Sequence, residues 1–253
     1  MSNEDNPFSS GNAGDDGGDG FDETNEMDPV PLDVGPILQR SFELFKDNAV
    51  VVILTLLIVG GLSIVIGLFD AGLQIAAENA DAEMALMLSV GRMGVSIVNT
   101  VIMLFFNLGM VRIFLNITRG QEADLSMLFG VGRFMLVAIA AQILAGIAMF
   151  AGFLCFIIPG IILALGLQFY LYVIVDKNMG PIQALQESWR LTDGHKMTLF
   201  FIGLVIGLLG LVLLCCTFGL GYLAFLPILS LTQAVIYHSL VWRSSFEDDL
   251  LYG

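Results

Sequence analysis

Glu187, Asp193 and His195 lie close together in the stretch GPIQALQESWRLTDGH, Gly180 to His195. Two carboxylates and an imidazole could hold a divalent metal or share general acid–base work. His238, the other of the chain's 2 histidines, would have to fold back to join them. Helix-borne zinc sites use tight spacings such as HExxH, and none is present. The same residues have a plainer expected role. Glu187 and Arg190 form an i,i+3 pair, Asp193 joins a terminal turn, and His195 and Lys196 sit at a helix C-terminus, where positive charge is favoured. His238 falls one turn inside the end of the last apolar run and reads as an interface or interhelical contact. The expectation is a non-enzymatic protein with no catalytic, cofactor-binding or metal-binding residue.

The elements that must position this polar stretch are set by the apolar residues around it. Of 253 residues, 57% are hydrophobic and 13% charged, against roughly 25% charged in soluble domains. A bilayer crossing needs about 20 apolar residues in helix. Ala49 to Phe69 is one such segment, and a second lies between Arg92 and Arg112. The uncharged run from Arg133 to Asp176 suits two spans, with Pro159 and Gly160 marking a bend near the start of the second. Another uncharged run, Lys196 to Arg243, suits two more, turning at Cys215–Gly219. The expected fold class is therefore an all-α integral membrane protein of six transmembrane helices in three hairpins. Of its 10 Lys and Arg, only Arg92 falls on the side away from the termini. By the positive-inside rule both termini are cytoplasmic. The outer side is left with one substantial loop, about Asp70 to Leu88, containing a helix-prone stretch.

Residues 1–33 hold 10 acidic residues and no basic one, and supply most of the formal charge of −14. Such a segment buries too little apolar surface to order itself and is expected to be a disordered tail. Its Asp-Asp-Gly-Gly-Asp-Gly run lacks the full calcium-loop pattern. It has no basic segment followed by an early apolar core, so a secretory signal is not expected. The membrane domain is placed at 34–244 and a short acidic C-terminal tail at 245–253. Cys155, Cys215 and Cys216 form no CxxC and read as small apolar residues near membrane spans.

The chain echoes itself. LQRSFEL, Leu38 to Leu44, and LQESWRL, Leu185 to Leu191, share Leu-Gln-x-Ser-aromatic-x-Leu, and each directly precedes a span. Ala123 to Phe134 precedes span three with a looser likeness. The domain then reads as three units, each a cytoplasmic amphipathic helix followed by a two-span hairpin. In the third unit Pro181 opens the helix and Gly194 ends it. Ile182, Leu185 and Trp189 share one face at helical spacing, as Leu38, Phe42 and Phe45 do in the first. Leu38, Phe42, Leu185, Trp189, Pro159 and Gly160 are thus the candidate interfacial and packing residues.

The run FIIPGIILALGLQFYLYVIVDKNMGPIQALQESWRLTDGH carries a recognisable pattern: Ile-Pro-Gly-Ile at a span start, an aromatic-rich span end, Asp, Gly-Pro-x-x-Ala-Leu-x-x-Ser, then Thr-x-Gly. It resembles the membrane domain attached to some glycerophosphodiester phosphodiesterases and its stand-alone bacterial and archaeal relatives. The likeness runs from about Phe156 to Leu214 and is diffuse before Arg133. It implies a polytopic fold. The phosphodiesterase itself is a separate soluble barrel for which these residues leave no room, so that activity is not implied.

Transporters keep ionisable groups within their spans where function needs them. Here the mid-span polar residues are neutral: Asn99, Thr100, Asn107, Gln142, Gln168, Thr232 and Gln233. Asn107, Gln142, Gln168 and Gln233 are candidate polar lining, or helix-bridging groups. The function expected first is scaffold, accessory or envelope-maintenance work in the bacterial cytoplasmic membrane. A transporter or channel for an uncharged or lipidic substrate is the alternative. Membrane lipids, a membrane-protein partner or a homo-oligomer are the expected partners. No cofactor is expected, and nothing supports nucleic-acid binding.

Overall fold

A computed structural model describes residues 30–218 and 220–252. Most of the acidic tail lies outside them. The described chain is helical: α1 (Val34–Asp47), α2 (Ala49–Glu78), α3 (Ala82–Thr118), α4 (Met135–Cys155), α5 (Ile157–Leu167), α6 (Tyr170–Lys177), α7 (Pro181–Thr192), α8 (Lys196–Cys216) and α9 (Leu220–Tyr252). No strand occurs among the described residues. Six stretches are long and apolar enough to cross a membrane, and the protein is an all-α, multi-pass membrane protein. The end holding α1 and α7 is here the base. The end holding the reversals at Asn79–Asp81, Phe156 and Thr217–Phe218 is the distal end.

One offset, 147 residues, separates Leu38 from Leu185 and Ser41 from Ser188. The same offset separates the starts of α1 and α7, Val34 and Pro181, and of α2 and α8, Ala49 and Lys196. The echo in sequence is thus an echo in structure. Both helices bury the same register: Ile37, Ser41 and Leu44 in α1, and Ala184, Ser188 and Leu191 in α7. The residues expected to pack lie beside this register, and among them Trp189 covers Gly166. Leu38 is half-buried and Phe42 exposed, Leu185 and Trp189 are half-buried, and Ile182 is exposed. The inward face combines aliphatic side chains, Ile37, Leu44 and Leu191, with small ones, Ser41, Ala184 and Ser188, that allow close approach to neighbours.

Each unit opens on a segment that clasps the second span of another. α1 packs on α9, and α7 on the α5–α6 span. In the middle unit the segment from Ala123 to Phe134 packs on α3. It is not the amphipathic α-helix expected but two 3-10 turns, Leu125–Leu128 and Gly132–Phe134. Glycines at 130 and 132 weaken a helix there. Leu128 lies so close to α3 that a Cβ on Gly109 would stand 2.7 Å from its backbone. The second spans α3, α6 and α9 meet in the middle, and α2, α4 and α8 flank them.

The reversal between spans three and four comes at Phe156, whose extended backbone (φ −166, ψ 157) separates α4 from α5. Pro159 is the third residue of α5 and not the bend itself. In the first turn its missing N–H costs nothing. Gly160 lies against the ring of Phe153, and a Cβ on Gly152 would stand 2.5 Å from Leu163. Those two glycines let α4 and α5 pack closely. Residues 245–252 of the expected acidic C-terminal tail continue α9, which ends at Tyr252.

The α2–α3 hairpin departs from the other two. Its helices have 30 and 37 residues, or roughly 45 and 55 Å at 1.5 Å per residue. α8 has 21. The expected outer loop is helix on both sides of Asn79–Asp81. Within α2 only Val52 and Thr55 are buried, and within α3 burial starts at Leu104. By the 147-residue offset, the α8 turn at Thr217 corresponds to Asp70. The hairpin beyond Asp70 therefore projects past the depth of that turn.

Candidate functional site

The stretch from Gly180 to His195 is an instrument for holding a broken span together. Span four breaks between α5 and α6 at Gln168 and Phe169. A break at membrane depth frees backbone groups that lipid cannot satisfy. Ser188 Oγ donates to the Gly166 carbonyl at 2.9 Å and accepts from the Phe169 N–H at 3.2 Å. Thr192, one turn on, has its single hydroxyl hydrogen within reach of the same carbonyl, at 3.4 Å, and of the Ser188 and Trp189 carbonyls of its own helix. Gly166 has no side chain because the Trp189 ring covers it. Lys196 Nζ stands 3.9 Å from the centroid of that ring. Ala184 is fully buried. Asn178 (φ 50) and Gly194 (φ 74) turn the chain at either end of α7. The polar motif is thereby accounted for nearly residue by residue.

Beside it lies a set of buried charges at the base. Arg119, at the end of α3, pairs with Asp176 of α6 at 2.7 Å, the side chains 12% and 6% exposed. Tyr237 of α9 donates to the other Asp176 oxygen at 2.8 Å. Its ring sits 5.3 Å from that of Tyr172 and 6.0 Å from that of Phe169. One carboxylate thus ties together the three central spans, where removing either charged partner is strongly destabilising. Next to it Glu187 receives Lys177 at 2.7 Å and Arg190 at 2.9 Å. Hydrogen bonds from Arg190 and then Lys177 hold its carboxyl down at about 2, against the opposing effect of burial. Asp193 bonds Lys196 at 2.6 Å, which lowers its pKa as well.

Glu187 and Asp193 are therefore engaged with separate cations. His238 lies on α9 at a small cavity with Arg40, Thr118 and Ser239. No group of metal-ligating residues occurs among the described residues. The four candidate lining residues do not share a path. Asn107 and Gln233 are exposed, and Gln168 sits half-buried at the α5–α6 break. Gln142 lines a 310 Å³ cleft between α3 and α4 with Thr100, and with none of the other three. Those residue types at separated depths on different helices gave no sign of convergence.

Sequence reasoning missed two features. Asp176 and Arg119 both fall on the termini side of their spans, which was visible in the charge partition. Their pairing needed the packing of α3 on α6. The second feature is a polar seam on the distal α2–α3 hairpin. Ser63 and Asp70 on α2 face Ser89, Arg92, Ser96 and Asn99 on α3, around a groove of about 540 Å³. The α3 positions recur at three- and four-residue spacing, a signal available in the sequence. Arg92 Nε and Nη2 bond the two Asp70 oxygens at 3.0 and 2.9 Å. Asn99 Oδ1 is covered and has no hydrogen-bond partner among the described residues. The hairpin glycines Gly60, Gly61, Gly67, Gly91 and Gly94 have open space where a Cβ would stand.

The profile of a family described as a domain of unknown function (DUF7847) matches residues 122–243. That stretch holds the middle clasp, the broken span, α7 and most of α9, hence Asp176, Ser188 and Tyr237. It leaves out α1 and the α2–α3 hairpin. No curated protein and no solved structure matches the chain.

Proposed function

We propose that this chain is a non-enzymatic scaffold or accessory subunit of the bacterial cytoplasmic membrane. Its clasped base is the anchor and its distal α2–α3 hairpin is the docking element. The observation that carries this reading is the unpacked distal hairpin: polar groups and open glycines at membrane depth that no other described helix covers. Uncovered polar groups in hydrocarbon are costly, and interhelical contact is the usual remedy. The base contributes in another way. Its charges are spent on joining helices, as Asp176, Glu187 and Asp193 show. The base, with α1, α7 and both termini, faces the cytoplasm. Nine of the ten Lys and Arg belong to that end and only Arg92 to the other, the asymmetry the positive-inside rule relates to orientation. The amphipathic α1 and α7 lie at the cytoplasmic interface, with Phe42 and Ile182 on their exposed flanks. The resemblance to a membrane domain that accompanies a soluble catalytic domain in other chains is in keeping with an accessory role.

The test is site-specific photocrosslinking of the full chain in its own membrane. A photoreactive residue at Ser96 should capture a polypeptide, and one at Leu208 on the outward face of α8 should not. Equal capture at both sites, or none at Ser96, would contradict the docking element. Saturable flux of one uncharged solute in proteoliposomes, lost on Asn99→Leu, would favour transport instead.

A further inference from the structure

We infer that the partner of the distal hairpin is a second copy of this chain, seated across the polar seam about a two-fold axis along the membrane normal. This rests on the docking reading above and names its occupant. A two-fold of that orientation brings each residue to the depth of its own counterpart, so the seam must be complementary to itself. It is so in three respects. Each copy presents one cation and one anion at the same level, Arg92 and Asp70, the side chains 30% and 41% exposed. Within one chain Arg92 bonds through Nε and Nη2, and the guanidinium has a further amine, Nη1, with two N–H donors. Those donors reach the Asp70 carboxylate of the other copy, and the reciprocal contact closes a four-charge ring. Deeper in the membrane, Asn99 is half-buried and its Oδ1 lacks a donor. An amide carries both donor and acceptor, and turning the covered Asn99 side chain out of the α2–α3 groove brings both to its counterpart in the second copy. Ser63 and Ser89 already donate to their own helices, at Val59 and Ala85. They add small, locally satisfied surface that allows close approach.

Lipid does not meet these needs. Eleven residues separate Arg92 from Met103, which at 1.5 Å each is roughly 16 Å, one half of the bilayer core. Over that depth acyl chains offer no donor for Asn99. A generic helix from another protein would fill the groove, but nothing in the seam selects it. The matched charges and the lone amide select a copy of themselves.

Disulfide crosslinking in native membranes tests this. Cys155, Cys215 and Cys216, all exposed, are replaced by serine in the full chain, and Ser96→Cys or Leu208→Cys is added. Mild oxidation should convert Ser96→Cys chains to a species of twice the mass and leave Leu208→Cys chains single. Asn99→Leu should weaken association about three- to tenfold in a detergent dilution series. Asp70→Arg and Arg92→Asp, each alone, should abolish the crosslink at Ser96. Differently tagged copies of those two variants, coexpressed, should crosslink to each other. That rescue separates a contact between copies from damage to the hairpin itself. Capture of an unrelated polypeptide at Ser96 would overturn the second copy and leave the docking reading standing. A chain that stays single at Ser96, captures nothing else, or fails to show the rescue overturns the inference.

Discussion

The α8–α9 and α2–α3 hairpins begin alike and end differently. Each follows a short helix with a buried serine, and their first spans start at equivalent positions, Lys196 and Ala49. α9 then enters the centre of the bundle, where Leu231, Ala234 and Tyr237 are fully buried. α2 and distal α3 touch little besides one another. In α8–α9 and the broken span some glycines mark close approach, since Gly166 meets Trp189 and Gly210 has Tyr222 3.4 Å from its would-be Cβ, while Gly203 and Gly207 of α8 have open space. Among distal α2–α3, glycines meet nothing. Since hydrophobicity alone does not join helices in lipid, the difference lies in small residues and polar bridges. The base uses both to join several helices; the distal hairpin spends its charged bridge, Asp70–Arg92, between its own two helices and leaves its glycines unpacked.

Asp176→Asn should break the packed side of this comparison hardest. It removes the carboxylate with which the buried Arg119 guanidinium pairs, at a cost of about 3–5 kcal/mol, read as a large fall in thermal stability in detergent. Asp70→Asn removes the matching pair on the free side, where both partners are part-exposed. It should cost the single chain about 1 kcal/mol or less. Ser188→Ala comes next. It strips the cap from the Gly166 carbonyl and the Phe169 N–H, at about 1–3 kcal/mol. Its counterpart Ser41→Ala loses a 3.1 Å bond from Thr232, and should cost about 1 kcal/mol. Acid should act more gently. Glu187 has its folded pKa lowered from 4.5 to about 2. Its contribution is therefore complete above pH 4.5 and is lost as pH falls toward 2. Amide exchange in α7 should quicken across that window while exchange in distal α3 does not.

Much of the fold was legible because membrane segments announce themselves by length and by the absence of charge. Span number, the turn at Thr217, and the ends of α7 at Pro181 and Gly194 followed from local chemistry. The repeat was visible in seven residues of the sequence, yet its buried register lies beside the residues expected to pack. Hydrophobic periodicity favours Leu185 and Trp189, whereas close helix packing in a membrane selects Ala184 and Ser188. The third clasp was misjudged because its glycines give 3-10 turns in place of a helix. Arg119–Asp176–Tyr237 joins residues far apart in sequence, and no local pattern carries such a pairing. The seam at Arg92 and Asn99 did have a local pattern, but that no other described helix covers it is a property of the fold alone.

The central claim is that one chain packs its base against itself and leaves its distal hairpin free. It is tested most directly by comparing Gly109→Leu with Gly94→Leu, two glycines of the same helix, through the thermal stability of the single chain in detergent. At Gly109 the new Cβ meets Leu128 backbone at 2.7 Å, and at Gly94 it meets nothing. The expected result is a loss of about 3 kcal/mol or more at Gly109 and a change within about 0.5 kcal/mol at Gly94. Equal losses at the two positions would contradict the account, since the distal hairpin would then be packed within the chain.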